Sequence, residues 1–177
     1  MNHDDHVRLI REGVLGGGNV WADLGSGSGA FTLALADLLG PGGHIFSVDR
    51  DARALREQRE ALQARFPAVT LEQRMADFTH PLDLPPLDGA VMANSLHFQR
   101  RKELVLALVR GMLKPGGRLV LVEYNADRGN IWVPHPLAYP TWEKLALDNG
   151  FVGTRLLATI PSRFLREIYS ALSYAPL

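Results

Sequence analysis

The chain has 177 residues, 46% of them apolar, and its 19 Lys and Arg offset 19 Asp and Glu. A chain this long buries roughly 70% of the surface it exposes when unfolded, so one ordinary domain over residues 1–177 is expected without a staple. Zero net charge removes the long-range field that draws proteins onto nucleic acid, and the lack of any cysteine excludes disulfides, thiolate zinc sites and cysteine nucleophiles together. Residues 1–18 open polar and hold no apolar run of signal-peptide length, and nothing approaches the roughly 20 apolar residues of a membrane span. The expectation is a cytoplasmic protein with neither a membrane nor a nucleic-acid partner.

Short apolar runs alternate with segments of helical period, which predicts an α/β fold, a doubly wound parallel sheet with helices on both faces. Val20 to Leu24 reads as the first strand, followed by a glycine-rich turn and a helix over Ala30 to Leu39. His44 to Val48 is the second strand. Asp51 caps a helix running to about Phe66, its Glu57 to Arg65 run reading as a solvated charged face, and Pro67 ends it. Val69 to Met75 is the third strand. Pro81, Pro85 and Pro86 rule out a regular helix between Thr79 and Leu87, so that crossover is expected to be a loop.

Asp88 to Ala93 is the fourth strand and Arg101 to Met112 an amphipathic helix, with Arg100-Arg101-Lys102 as its solvated start. Lys114-Pro115-Gly116-Gly117 is a tight turn into the fifth strand, Arg118 to Glu123. A loop rich in Pro and aromatics covers Asp127 to Pro140, and a helix over Thr141 to Asn149 stops at Gly150. Arg155 to Thr159 and Ile168 to Leu172 lie too close for a crossover helix, so they are expected to pair antiparallel.

The stretch Asp23-Leu24-Gly25-Ser26-Gly27-Ser28-Gly29-Ala30 joins a buried strand to a helix, where open α/β sheets bind ligands. Glycines there permit a sharp turn and close approach of a ligand to the backbone, and the orphan N–H groups of the helix suit oxyanions. The dinucleotide fingerprint places its third glycine where Ala30 stands, so the spacing departs from it. Asp49, ending the second strand, is placed to accept from two ribose hydroxyls, a requirement shared by NAD and S-adenosylmethionine. Asp77-Phe78 after the third strand pairs a carboxylate with a ring, suited to an adenine amino group and its base.

In order and spacing, Asp23-x-Gly-x-Gly-x-Gly29, Asp49, Ala76-Asp77-Phe78, Asn94-Ser95-Leu96-His97-Phe98 and Leu113-Lys114-Pro115-Gly116-Gly117 resemble the motifs of class I S-adenosylmethionine-dependent methyltransferases. The nearer resemblance is to the small-molecule branch that includes quinone-biosynthesis enzymes. It implies a Rossmann-like, doubly wound sheet of seven strands with the last strand antiparallel. It also implies cofactor contacts at the Gly25 and Gly27 backbone, Asp23 near the methionine amino group, Asp49 on the ribose, Asp77 on the adenine amino group and Asn94 near the methionine end. Ser26, Arg50 and Phe78 belong to the same set. Members with bulky acceptors often carry a lid or recognition domain; here the acceptor pocket is expected from the N-terminal segment, the His97 region and the Asn125 to Pro140 loop.

The function implied is methyl transfer from S-adenosylmethionine to a small-molecule acceptor by a monomer or homodimer. Alternatives are a non-catalytic S-adenosylmethionine-binding module or activating subunit, and a nicotinamide-dependent oxidoreductase, against which the glycine spacing and terminal strand pair count. A base is required only where the acceptor keeps its proton near neutral pH. His97 is then the first candidate, with a structural histidine as its bland alternative, and Glu123 and Tyr124 come next. His3, His6 and His135 are too scattered for a metal site and are read as solvent-facing or pocket-lining. Trp132, Pro134, Pro136 and Tyr139 either shape their loop or line the acceptor pocket.

Overall fold

The computed structural model describes residues 1–162 and 164–177. Its seven strands are β1 (Val20–Leu24), β2 (His44–Asp49), β3 (Thr70–Met75), β4 (Leu87–Ala93), β5 (Leu113–Tyr124), β6 (Val152–Pro161) and β7 (Glu167–Tyr174). They form one sheet in the order β3-β2-β1-β4-β5-β7-β6. Strands β1 to β5 pair parallel, while β7 runs antiparallel to both β5 and β6. The order reverses between β1 and β4, so a crevice opens above their carboxyl ends.

Helices α2 (Ala30–Leu39), α3 (Ala52–Arg65), α4 (Lys102–Met112) and α5 (Tyr139–Asp148) cover the sheet, as its buried strands require. One apolar layer gathers Trp21, Phe31, Leu35 and Leu62. The opposite layer gathers Leu106, Trp142, Phe151 and Tyr169. Gly89 is bare because a Cβ there would collide with the Trp21 ring. No helix among the described residues is long and apolar enough to cross a membrane.

Several elements depart from the sequence expectation. The polar N-terminal stretch is a helix, α1 (His3–Val14), closed at its start by a reciprocal capping box between Asn2 and Asp5. It buries Val7, Leu9, Ile10 and Val14 on the first layer. Its last carbonyls are satisfied from β5, where Arg118 donates to Gly13 O, Leu15 O and Gly16 O. The segment expected as a turn before the fifth strand is part of β5, with an irregular register between Leu87↔Leu113 and Gly89↔Arg118. Pro140 sits in the first turn of α5, which starts that helix two residues before Thr141. The terminal pair is longer than expected at both ends, because β6 and β7 hold each other's backbone beyond the apolar stretches.

Candidate active site

Strand β1 ends in a turn that only glycine adopts without strain, with φ of +79° at Gly25 and +92° at Gly29. The N–H groups of Gly25 and Ser26 donate to Val48 O at 2.8 and 3.1 Å, which clamps the turn to the end of β2. This brings Asp49 to it: Gly27 N–H donates to Asp49 Oδ2 at 2.7 Å, and Asp51 N–H to Asp49 Oδ1 at 2.9 Å. A Cβ on Gly25 would lie 2.5 Å from Ser95 Cβ and 3.0 Å from Phe78 Cε1. The turn is therefore a narrow backbone cradle, with Ser95 fixed beside it by its donation to Leu24 O.

A buried polar network lies under the cradle. Thr32 Oγ1 donates to Asp23 Oδ2 at 2.6 Å and accepts from Gln58 Nε2 at 2.8 Å. Gln58 Oε1 accepts from Ser47 Oγ and from Gln73 Nε2, each at 2.7 Å, and Ser47 pairs with Ser26 at the same distance. Gln58 therefore points into the core, a polar exception within the run of residues 57–65 expected to present a charged face to solvent. Gly29 must be bare because Gln58 fills the space a Cβ would take. Burial pushes the Asp23 carboxyl up to about 7, with the Asp49 charge adding to it and the Thr32 bond opposing it.

Asp77 accepts from the Thr79 hydroxyl and N–H, which hold its carboxyl below the usual range, and Arg50 Nη1 stands 3.4 Å away. Asp77 and Arg50, together with Asp49, Phe78, Asn94 and Gly25, line a cavity of about 170 Å³. A second cavity, about 290 Å³, lies over the glycine turn against α1 and α2, lined by His6, Asp23, Ser26, Gly27, Phe31 and Asn94 among others. A third, about 560 Å³, is bounded by Asn94, His97, Phe98, Tyr124, Trp132, Val133 and Phe164. Asn94 borders all three, in a left-handed conformation (φ +51°), and its Oδ1 is buried with no hydrogen-bond partner among the described residues.

His97 lies in a 3-10 turn (Leu96–Phe98) after β4, and only 3% of it is exposed. Its Nδ1 stands 2.9 Å from Glu123 Oε2, and its N–H donates to Glu123 Oε1 at 3.0 Å. Glu123, fully buried near the end of β5, also accepts from Tyr124 N–H. With Nδ1 engaged, Nε2 is the ring nitrogen left for the third cavity. Burial and the Glu123 charge push the Tyr124 phenol up, so near neutral pH it is a donor. Lys102 is buried as well, which corrects its reading as a solvated helix start: Nζ donates to Gln99 O at 2.9 Å and to His135 O at 2.8 Å. Because His135 N–H also donates to His97 O, the residue 125–138 loop is fastened to the turn that carries His97.

The sequence model of the methyltransferase domain family matches residues 17–151. The chain belongs to this methyltransferase family. The methyltransferase is 29% identical over 136 residues to the ubiquinone/menaquinone biosynthesis C-methyltransferase UbiE of Burkholderia mallei, covering 76% of this chain and 53% of that protein. It is 27% identical over 164 residues to the hybrid PKS-NRPS synthetase apdA of Emericella nidulans, covering 77% of this chain and 4% of that protein. The chain thus spans about half the length of the UbiE relative and a small part of the synthetase. Among solved structures, the CurJ carbon methyltransferase superposes with a TM-score of 0.74 at 19% identity, covering 94% of this chain and 51% of that one.

Membership of this family implies S-adenosylmethionine as the cofactor. Two features of the methyltransferase fit that molecule. Gly27, where nothing stands within 4 Å of an added Cβ, leaves backbone open to a close-lying ligand, and the Asn94 oxygen is a buried acceptor suited to an ammonium donor. Every residue expected at the cofactor site borders one of the first two cavities, although Ser26 turns its hydroxyl to Ser47 and presents only backbone. The expected catalytic candidates divide. His97 and Tyr124 line the third cavity, whereas Glu123 lies behind His97. Gln58, Lys102 and Phe164 were not foreseen. Gln58 alone left a trace in the pattern, an uncharged residue at helical spacing with Leu55 and Leu62.

Proposed function

We propose that this chain, acting as one unit over residues 1–177, transfers a methyl group from S-adenosylmethionine to a carbon atom of a small, largely apolar acceptor. The carrying observation is the buried His97–Glu123 pair, opening on a cavity that meets both cofactor-side cavities at Asn94. The named C-methyltransferase relative supports carbon as the acceptor atom, and the aromatic walls of the third cavity support an apolar acceptor. Trp132, 72% exposed, and the exposed Phe98 and Phe164 stand at its mouth, placed to cover an acceptor longer than the cavity.

In this reading Asp49 takes the ribose hydroxyls, Asp77 and Phe78 the adenine, with Arg50 beside them, and the Asp23 to Gly27 turn with Asn94 takes the amino-acid end. Bound S-adenosylmethionine supplies an electrophilic methyl, so the protein's part is alignment, exclusion of water and removal of one proton. A carbon acceptor needs that removal, because its C–H keeps its proton near neutral pH. Glu123 holds the imidazole with its proton on Nδ1, leaving Nε2 to take the acceptor proton, and then stabilises the imidazolium. Tyr124 donates a hydrogen bond to the developing negative charge on the acceptor.

The test is methyl-labelled S-adenosylmethionine offered with apolar carbon acids, such as 1,3-dicarbonyl compounds and electron-rich phenols, beside matched amines and alcohols. Label is expected on carbon, and the His97→Gln and Glu123→Gln variants should lose roughly 10²- to 10⁴-fold in turnover at unchanged cofactor affinity. Label on nitrogen alone, or full turnover in both variants, contradicts the proposal.

A further inference from the structure

The second cavity is closed on one side by α1, an element outside the family-matched residues 17–151. On its other side α2 starts without a cap: Gly29 offers no side chain, no acid occupies the first turn, and the leading N–H groups lack side-chain acceptors. The floor is Asp23, whose carboxyl burial pushes up to about 7, so near neutral pH it carries only part of its negative charge. His6 reaches into this cavity from α1, its ring centroid 4.8 Å from that of Phe31. Neither ring nitrogen of His6 has a hydrogen-bond partner among the described residues, and His6 is the one basic side chain among the lining residues. Burial and the nearby Met1 ammonium lower its proton affinity, so near neutrality it offers a neutral ring N–H.

A cavity with uncapped helix N–H groups and one free imidazole is complementary to a carboxylate. The amino-acid end of S-adenosylmethionine carries one, beside an ammonium suited to Asn94 Oδ1. We propose that His6 binds the α-carboxylate of the cofactor through a ring N–H, making α1 a wall of the cofactor site and not only a cover of the sheet. This rests on the reading that the chain binds S-adenosylmethionine. The Phe31 ring holds the imidazole at the cavity, and Asn2 and Asp5 hold the helix start that carries it.

The experiment is isothermal titration of the full chain with S-adenosylhomocysteine and with its decarboxylated analogue, which keeps the adenosine, the sulfur and the ammonium. Wild-type protein, His6→Ala and His6→Gln are compared. His6→Ala should weaken S-adenosylhomocysteine about tenfold and leave the decarboxylated analogue within about twofold, a coupling that a double-mutant cycle isolates. His6→Gln retains a neutral donor and should recover part of the loss. Equal weakening of both ligands would show that His6 only supports α1 and would overturn the proposal, as would unchanged affinity for S-adenosylhomocysteine in His6→Ala. Failure of the wild-type chain to bind either ligand would refute the cofactor reading itself, a separate outcome.

Discussion

Replacing Asp23 with Asn should make the protein more stable at alkaline pH than the wild type. The wild-type carboxyl is moved from an ordinary 3.8 to about 7 by burial under the glycine turn. At about 1.4 kcal/mol per pH unit, that displacement corresponds to an upper bound of order 4 kcal/mol. The folded protein holds this proton more tightly than the unfolded chain does. Wild-type stability therefore falls as pH rises from about 4 and levels off once pH passes about 7. The Asp23→Asn variant keeps an acceptor for the Thr32 hydroxyl but has nothing to titrate. Urea unfolding of both proteins from pH 4.5 to 8.5 cancels every other titrating group in the difference. That difference should grow in favour of the variant with pH and reach a plateau above neutrality. A difference independent of pH would refute the reasoning, since the buried acid would then be charged throughout or its proton equally held in both states.

Asp49→Ala should weaken S-adenosylhomocysteine roughly 10- to 100-fold in calorimetry, through loss of the ribose partner and of the support it gives Gly27 N–H; undiminished affinity would move the sugar elsewhere. Gly25→Ala forces a left-handed φ on alanine and a Cβ against Ser95, so about 1–2 kcal/mol should be lost from backbone strain alone. A calorimetric Tm unchanged in that variant would mean the turn relaxes freely. Trp132→Ala should raise the acceptor KM roughly three- to tenfold while cofactor affinity stays fixed. Loss of cofactor affinity instead would place Trp132 outside the acceptor wall.

The glycine turn and the acids beside it were legible because each signal is local. Gly25 and Gly29 sit where φ is positive, Asp49 and Asp77 end or follow strands that sequence periodicity locates, and each signal occupies a few consecutive residues. The His97–Glu123 pair was named only as two separate candidates. Its members are 26 residues apart and meet because β4 and β5 are parallel neighbours, which no local pattern encodes. Helix α1 was passed over because its polar opening outweighed a readable signal, the Asn2 and Asp5 caps followed by Val7, Ile10 and Val14 at helical spacing. Lys102 looked solvated for a similar reason: a charge beside Arg100 and Arg101 is read as surface until a buried carbonyl is known to await it.

The single amine of Lys102 also limits how the residue 125–138 loop can change. Whatever replaces the residue 125–138 loop must meet that amine with one carbonyl, as His135 O does now, because Gln99 O takes only one of its protons. A remodelled loop that keeps a main-chain oxygen and N–H at position 135 can vary its side chains widely and stay fastened to the turn that carries His97. One that removes that oxygen loosens the wall and strands a buried ammonium, while Glu123 still holds His97 by its N–H and Nδ1.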